Sequence, residues 1–185
     1  MRLFFAAFPD VETRERIEDA ARALGLRPPA RPVPPAKYHM TVVFLGEVAE
    51  LRLAAVREIG SRRCGRCFSL RFDHLEFWSK ARALVMAASH CPAALEQLRI
   101  SLEADLSACG VAFDAQPLRP HVTLARKIVQ APVVQAPGVD ILWSVRAIHL
   151  VSSATRAAAA GSTVDASIYT VVDTWPLLDN RDESL

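Results

Sequence analysis

The same four-residue pattern occurs twice in the chain, as His39–Val42 (HMTV) and His121–Leu124 (HVTL). Both copies lie in runs of strand-forming residues in which polar and apolar side chains alternate. Successive side chains of a β-strand point to opposite faces, so each histidine is predicted to share a face with the threonine two residues later. A single such histidine is more often structural than functional, but two matching copies are not expected by chance. The repeat therefore predicts two equivalent strands that present histidine and threonine to a common site.

The segments around the two motifs alternate between strand and helix patterns. Strands are predicted at Leu3–Phe8, at both motifs, and at Cys67–Leu75, Ala83–Ser89, Ile141–Val151 and Ile168–Trp175. Helices are predicted from Asp10 to Gly25, from Glu47 to about Arg63, and from Pro92 to Gly110. Cys67–Leu75 and Ala83–Ser89 are predicted to form a hairpin, and the proline-rich segment Arg27–Pro35 an extended loop.

This order of elements predicts an α+β fold. The motif histidines are 121 − 39 = 82 residues apart, and each half of the chain supplies a motif strand, further strands and at least one long helix. We expect one domain, residues 1–185, made of two similar lobes, each an antiparallel sheet with helices packed outside. The two motif faces would then meet across a central groove.

Composition limits the class of ligand and the cellular compartment. Hydrophobic residues make up 51% of the chain and the formal net charge is +2, which fits a small anionic ligand better than an extended nucleic acid duplex. The first eight residues hold too few apolar positions for a signal-peptide core, and no stretch approaches a membrane span. We therefore expect a cytoplasmic protein that does not associate with membranes, and a monomer.

Two of the four cysteines, Cys64 and Cys67, have the CxxC spacing of redox and zinc sites. Cys91 and Cys109 do not form a second pair at zinc-knuckle spacing, and no βαβ pattern surrounds the first pair. Incidental thiols, kept reduced in the cytoplasm, are the favoured interpretation. The sequence predicts neither a metal site nor a cofactor.

The recurring ionisable unit is the histidine pair. Two facing imidazoles can divide general-base and general-acid duties near neutral pH, which suits displacement at phosphorus as a ribose oxygen leaves. The hydroxyls of Thr41 and Thr123 can donate to phosphate oxygens, and Arg126 could neutralise the phosphate charge. Arg126 is five residues from His121, so it shares the face of that histidine only if the strand bulges or ends before it.

With these motifs the chain resembles the two-histidine (2H) phosphoesterase superfamily, and within it the RNA 2′,3′-cyclic phosphodiesterases, also described as 2′-5′ RNA ligases. The resemblance rests on RLFFAAF, YHMTVVFLGEV, FSLRFDHLEFW, ARALVM, PLRPHVTLARK, IHLVSS and YTVVDTWPL. It implies a bilobal, pseudo-symmetric fold with a groove that holds both histidines. It also implies metal-independent hydrolysis of the 2′,3′-cyclic phosphates of RNA ends or small nucleotides to 2′-phosphates.

The resemblance carries over to individual residues. His39 would be the general acid for the departing 3′-oxygen and His121 the general base for water, although the reverse assignment stays open. Thr41 and Thr123 would hold phosphate oxygens. Arg126, which matches the HxTxxR pattern of the family, would clamp the phosphate.

The chain departs from full symmetry and from the family at two positions. Phe44 occupies the place in the first motif that Arg126 has in the second, and Pro32 stands where the family commonly has an aromatic residue. The histidines and tryptophans outside the motifs are interpreted as structural or surface residues: His74, His90, His149, Trp78, Trp143 and Trp175.

Two alternatives remain at this stage. One is another 2H activity, such as cleavage of a 2′-5′ linkage, hydrolysis of a nucleotide-sugar cyclic phosphate or joining of RNA ends by the reverse reaction. The other is a non-catalytic RNA or nucleotide binder, which is disfavoured because binding alone does not require a paired acid and base.

Overall fold

The structure is a computed structural model, and it describes residues 1–27, 29–62, 65–129, 138–155 and 167–179. The strands in these ranges are β1 (Arg2–Ala7), β2 (Arg31–Pro32), β3 (Met40–Glu47), β4 (Phe68–Phe72), β5 (His74–Trp78), β6 (Ala83–Ala87), β7 (His121–Arg126), β8 (Ile141–Val145), β9 (Ala147–Thr155) and β10 (Ser167–Pro176). The α-helices are α1 (Val11–Ala23), α2 (Leu53–Arg62) and α3 (Ala93–Ala108), and Pro35–Lys37 and Glu50–Arg52 form short 3-10 helices.

Two four-stranded antiparallel sheets carry the two motifs. The first sheet has the order β10-β9-β1-β3 and the second β2-β7-β6-β5, while β4 and β8 form a separate pair. This arrangement confirms the predicted α+β class with antiparallel sheets.

The sheets do not correspond to the two halves of the sequence, contrary to the expectation. The first sheet joins the first strand of the chain to the last two. The physical reason lies in β1, in which every residue from Leu3 to Ala7 is buried. A buried strand needs a neighbouring strand along each of its two edges. β3 pairs with one edge of β1, and β9 pairs with the other.

Capping residues place α1 and α3 where the sequence predicts them. Asp10 precedes α1, and its carboxylate accepts a hydrogen bond of 2.7 Å from the backbone N–H of Thr13. Gly25 follows this helix with φ +56°. Pro92 precedes α3, and Gly110 follows it with φ +64°. Glycine adopts this left-handed conformation without strain, so both helices end cleanly.

Two predicted elements begin or divide differently in the structure. The helix predicted from Glu47 starts at Leu53, because β3 continues to Glu47 and a 3-10 turn follows it. The strand predicted over Cys67–Leu75 divides at Asp73, whose carboxylate accepts hydrogen bonds from the backbone N–H (3.2 Å) and the hydroxyl (3.0 Å) of Ser89. Before this break β4 pairs with β8, and after it β5 forms the predicted hairpin with β6.

Two further segments differ from the prediction. The strand predicted over Ile141–Val151 is interrupted at Arg146, which separates β8 from β9. The proline-rich loop Arg27–Pro35 contains the two-residue strand β2, which pairs with the end of β7. Proline is tolerated in β2 because this strand lies at the edge of its sheet.

The two large sheets share one apolar core with the helices. Alternate residues of β1, β6 and β7 face this core, namely Leu3, Phe5, Ala7, Met86, Val122 and Leu124. The opposite faces carry smaller clusters, built on Phe4, Ala6 and Val151 in the first sheet and on Ala83, Val85 and Ala87 in the second. We call the space between these two opposite faces the groove.

The described cysteines Cys67, Cys91 and Cys109 are free thiols. Burial raises the pKa of Cys91 to about 11, so this thiol stays protonated at neutral pH. Cys64 lies outside the described residues, and the interpretation of the CxxC pair therefore stays a prediction. Within the described ranges, none of the helices combines the length and the apolar character that a membrane span requires.

Substitution of Gly60 tests the packing of α2 on the first sheet. A Cβ atom at Gly60 would lie 2.4 to 2.7 Å from carbon atoms of the Trp175 indole. We expect Gly60→Ala to lower the free energy of unfolding by about 1 to 3 kcal/mol in urea denaturation, although alanine in an open helix position stabilises by about 1 kcal/mol. Gly138→Ala is the control, because nothing lies within 4 Å of its Cβ position. Equal or greater stability of Gly60→Ala would contradict this packing.

Candidate active site

The His39 imidazole is held by one hydrogen bond and three aromatic rings. Its Nδ1 lies 2.7 Å from the backbone carbonyl oxygen of Lys37. The ring centroid lies 5.2 Å from that of Phe4, 6.0 Å from that of Phe8 and 5.1 Å from that of Tyr169, which meets it edge-on. These rings come from β1, the turn after it and β10, so the first sheet fixes the orientation of His39.

The His121 imidazole is held in the same way in the second sheet. Its Nδ1 lies 2.6 Å from the backbone carbonyl oxygen of Arg119, and its ring centroid lies 4.3 Å from that of Trp78. The groove face of β6 carries only Ala83, Val85 and Ala87 beside this indole. Because these side chains are small, the indole reaches across β6 from β5 to the histidine on β7.

The two hydrogen bonds define the same protonation pattern in both histidines. A carbonyl oxygen only accepts hydrogen bonds, so Nδ1 carries the proton in the neutral form of each ring. The Nε2 atoms of His39 and His121 are therefore the ones that exchange protons with a substrate. This pattern provides two equivalent acid-base atoms on facing sheets.

Arg126 shares the groove face with the second motif because β7 contains a bulge. Val85 pairs with Thr123 and Leu84 pairs with Ala125, so Leu124 is the extra residue on β7. Leu124 and Ala125 are both buried on the side away from the groove. The bulge shifts the alternation by one residue, as the sequence analysis required for Arg126 to point to the groove.

A cavity of about 60 Å³ lies between the motifs. The residues that line it come from both large sheets and from the proline-rich segment: Arg31, Pro32, Val33, Pro34, Lys37, His39, Thr123, Arg126 and Tyr169. The cavity thus brings together three of the five predicted site residues, His39, Thr123 and Arg126. It also includes Pro32, the position at which the sequence departs from the family pattern.

The other two predicted site residues, Thr41 and His121, are not among those that line this cavity. Thr41 is half-buried and lies opposite Ala6, on the same strand face as His39. His121 is close enough to His39 for its charge to lower the pKa of His39. The structure therefore collects the predicted residues on facing surfaces of one groove.

The environment of the site disfavours the protonated form of both histidines. Burial lowers the pKa of His39 from the usual 6.5, the hydrogen bond to the Lys37 carbonyl opposes this, and His121 and Arg126 reinforce it. Burial also lowers the pKa of His121, again opposed by its carbonyl hydrogen bond and reinforced by Arg119 and Arg126. Both rings are therefore mainly neutral at pH 7 before an anion binds.

A charged cluster lies beyond Trp78. The Arg119 guanidinium lies 5.1 Å from the Trp78 ring centroid and contacts both carboxylate oxygens of Glu76, at 2.7 and 2.6 Å. The indole N–H and then Arg119 lower the pKa of Glu76, and the Glu76 charge in turn favours protonation of His121. The indole Nε1 is buried and forms no hydrogen bond of good geometry, so its effect on Glu76 is one of proximity.

Several groove residues were not predicted as site residues from the sequence. Tyr169 and Trp78 contact the motif histidines, and Arg31 and Lys37 line the cavity. Trp78 packs on the groove face of β6 and against His121, and Trp143 is buried in the core as predicted. The alternation of small residues in β6 could have indicated the position of Trp78, because it leaves room for one large ring.

His149 lies on the groove-facing side of β9 but does not line the cavity. Its Nδ1 lies 2.9 Å from the Thr174 hydroxyl, and its ring meets Phe8 edge-on at 5.2 Å. Among the residues that the structure describes, no three histidine, cysteine or acidic side chains lie together as a potential metal site.

Comparison with known proteins places this geometry in a family. Residues 9–157 match the model of the 2′-5′ RNA ligase superfamily. A protein named RNA 2′,3′-cyclic phosphodiesterase from Escherichia coli is 31% identical over 177 residues, which cover 95% of this chain and 96% of that protein. A protein of the same name from Thermus thermophilus is 28% identical, and the match covers 96% of this chain and 90% of that protein.

Solved structures of this family also match the chain over nearly its whole length. The crystal structure of E. coli LigT complexed with 3′-AMP superposes with a TM-score of 0.80 at 29% identity, over 95% of this chain and 97% of that one. The match therefore extends over both sheets and the groove between them. The chain belongs to the 2′-5′ RNA ligase superfamily.

Proposed function

We propose that this protein is a 2H phosphoesterase that hydrolyses the 2′,3′-cyclic phosphates of RNA ends or small nucleotides to 2′-phosphates. The observation that carries the proposal is the pair of imidazoles, each fixed by a carbonyl so that Nε2 is available, beside a cavity lined by cations. The names of the relatives from E. coli and T. thermophilus support the substrate class. A cytoplasmic, monomeric protein, as expected from the sequence, is part of the proposal.

The reaction requires one proton to be removed and one to be supplied. His121 Nε2 takes a proton from water as the water oxygen bonds to phosphorus. The bond between phosphorus and the 3′-oxygen breaks, and protonated His39 gives its Nε2 proton to that oxygen. The products are a 2′-phosphate and a free 3′-hydroxyl. His121 then carries the proton taken from water and His39 is neutral, and proton exchange with solvent restores the starting state of both rings.

The remaining predicted site residues act on the phosphate itself. Thr41 and Thr123 donate hydrogen bonds to non-bridging oxygens, and Arg126 offers its guanidinium fork to the charge that develops in the transition state. Lys37 adds a further cation to the cavity lining. Binding of the anion also favours protonation of the acid, because it offsets the cations that lower the pKa of His39.

The name of the superfamily supports a second candidate, the cleavage or formation of a 2′-5′ linkage. The same acid-base pair serves it, because a 2′-5′ linkage is also a ribose phosphodiester. Incubation with RNA that ends in a 2′,3′-cyclic phosphate, followed by identification of the phosphate isomer, separates the candidates. Accumulation of a 2′-phosphate supports hydrolysis, and a lack of reaction together with cleavage of 2′-5′-linked RNA supports the second candidate.

Inorganic phosphate provides a test of anion binding that does not need turnover. At a phosphate concentration ten times the Kd, we expect a stabilisation of about 1.4 kcal/mol, or a rise in Tm of roughly 3 to 6 °C. Arg126→Gln should abolish most of this shift in thermal denaturation. Arg146→Gln should retain it, because Arg146 contacts Asp179 outside the cavity. An unchanged shift in Arg126→Gln would show that Arg126 does not bind the anion.

Substitution of the histidines tests the acid-base pair. General acid-base assistance is typically worth about 10² to 10⁴ in rate, so His39→Ala and His121→Ala should each lose activity on that order. The double variant should lose less than the product of the two single losses, because the residues act as a unit. A substrate with a better leaving group at the 3′-oxygen should rescue His39→Ala but not His121→Ala. The opposite rescue would reverse the roles, and near-normal activity of either single variant would refute the mechanism.

The pH dependence of kcat/KM follows from the lowered pKa values. The active histidine pair holds one proton, so kcat/KM should fall at both low and high pH. Each limb of this bell-shaped profile reports an apparent pKa of the pair rather than of one residue. Because the site lowers the pKa of both rings, the alkaline limb should lie below the usual value near 6.5. Arg126→Gln removes a cation and should move this limb to higher pH, while Arg146→Gln should leave it in place. An alkaline limb above about pH 7 in the wild-type protein would contradict this account.

A further inference from the structure

Two arginines lie directly opposite each other at the edge of the second sheet. Arg31 on β2 pairs with Arg126 on β7, and on its other side Arg126 faces Ala83 of β6. Like charges at directly opposed positions destabilise a sheet. Within the part of the chain that the structure describes, the residues that line the cavity include both arginines and Lys37 but no acidic residue. The arrangement therefore concentrates positive charge at a cost to stability.

The positive charge of the cavity exceeds what the proposed reaction needs at phosphorus. A cyclic phosphate diester carries one negative charge, which approaches two in the transition state, and protonated His39 and Arg126 already balance these two charges. Arg126 lies on the same strand face as Thr123 and His121 beyond the bulge. Arg31 is displaced from Arg126 by one strand spacing, about 4.8 Å, toward the outer edge of the sheet. The Arg31 guanidinium is therefore placed to meet a second anion beside the reacting phosphate.

We propose that Arg31 binds a second phosphate, the one attached to the 5′ carbon of the nucleoside that carries the cyclic phosphate. This inference rests on the proposed function and extends it to substrate specificity. The two phosphates of such a substrate are joined through one ribose, so both reach adjacent cations at the same time. Arg31 is thus a specificity-determining residue that favours RNA ends, or 5′-phosphorylated nucleotides, over an unphosphorylated nucleoside cyclic phosphate.

The backbone around Arg31 holds it in place before the substrate binds. The N–H of Val33 donates a hydrogen bond of 2.8 Å to the carbonyl of Leu124, and Pro32 and Pro34 restrict the chain on either side of Val33. A side chain carried by such a restrained segment loses less conformational entropy on binding than one in a flexible loop. This restraint suits a residue that must reach a phosphate at a fixed distance from the reacting one.

Three substrates test the proposal by steady-state kinetics. They are adenosine 2′,3′-cyclic phosphate, its 5′-phosphorylated form, and the dinucleotide ApA with a 2′,3′-cyclic phosphate end.

We expect the wild-type protein to favour the second and third over the first. In Arg31→Gln, kcat/KM for the favoured substrates should fall roughly 10- to 100-fold through KM, as expected for a charge-assisted hydrogen bond. The loss on the first substrate should be much smaller. If Arg31→Gln loses activity on the second substrate alone, Arg31 binds a terminal phosphate. If it loses activity on the third substrate alone, Arg31 binds an internal phosphodiester.

Comparison variants distinguish this role from binding of the reacting phosphate. Arg126→Gln should lose activity equally on all three substrates, and Arg146→Gln should lose none. Equal losses on all substrates in Arg31→Gln, or no loss on any, would overturn the proposal. The melting temperature of Arg31→Gln should be no lower than that of the wild-type protein, because the substitution removes a like-charge contact.

The experiment separates failure of this inference from failure of the proposed function. A wild-type protein that cleaves none of the three substrates contradicts the proposed function. In that case, calorimetric titration with adenosine 2′-phosphate and adenosine 2′,5′-bisphosphate still tests Arg31 without turnover. Tighter binding of the bisphosphate that disappears in Arg31→Gln supports the second phosphate site, and equal affinity for both nucleotides overturns it.

Discussion

The hydrogen bond from each motif imidazole to the carbonyl two residues before it is the constraint on which the site depends. The contact is the same in both sheets, at 2.7 Å in His39 and 2.6 Å in His121. It occupies Nδ1, so only Nε2 remains to exchange a proton, and it prevents the ring from turning over. Without this bond, the motif would place an imidazole in the groove but would not determine which nitrogen meets the substrate.

A second irregularity, the bulge in β7, organises the cationic side of the cavity. The extra residue Leu124 turns Arg126 toward the groove, and its carbonyl accepts the hydrogen bond from Val33 of the proline-rich segment. This contact extends the pairing of β2 with β7, which brings Arg31 opposite Arg126. One inserted residue thus accounts for the orientation of Arg126 and supports the position of Arg31.

The sequence predicts the parts of this structure that depend on local patterns. The motif strands, the caps of α1 and α3, the hairpin of β5 and β6, and the shared groove follow from alternation, capping residues and the repeat. The pairing of β1 with β9 and the break at Asp73 depend on contacts between distant segments, which local patterns do not encode. Likewise, alternation shows that Arg126 needs a bulge, but only the register between β6 and β7 shows where the bulge lies.

The two histidines share one hydrogen-bonding pattern but not one environment. His39 is surrounded by the aromatic rings of Phe4, Phe8 and Tyr169, whereas His121 contacts Trp78, beyond which lies the Arg119–Glu76 ion pair. In the first sheet, the residue that corresponds to Arg126 is Phe44, which packs beneath the Arg2 guanidinium at 5.0 Å. The two arginines that line the cavity therefore both come from the second sheet, whereas three aromatic rings surround the histidine of the first. A repeated strand motif would by itself give a symmetric site that treats both oxygens of a cyclic phosphate alike. The unequal surroundings remove that symmetry, because a phosphate drawn toward the arginines presents a different oxygen to each imidazole. The repeat thus supplies two acid-base groups, and the differences between the sheets allow them to take different roles.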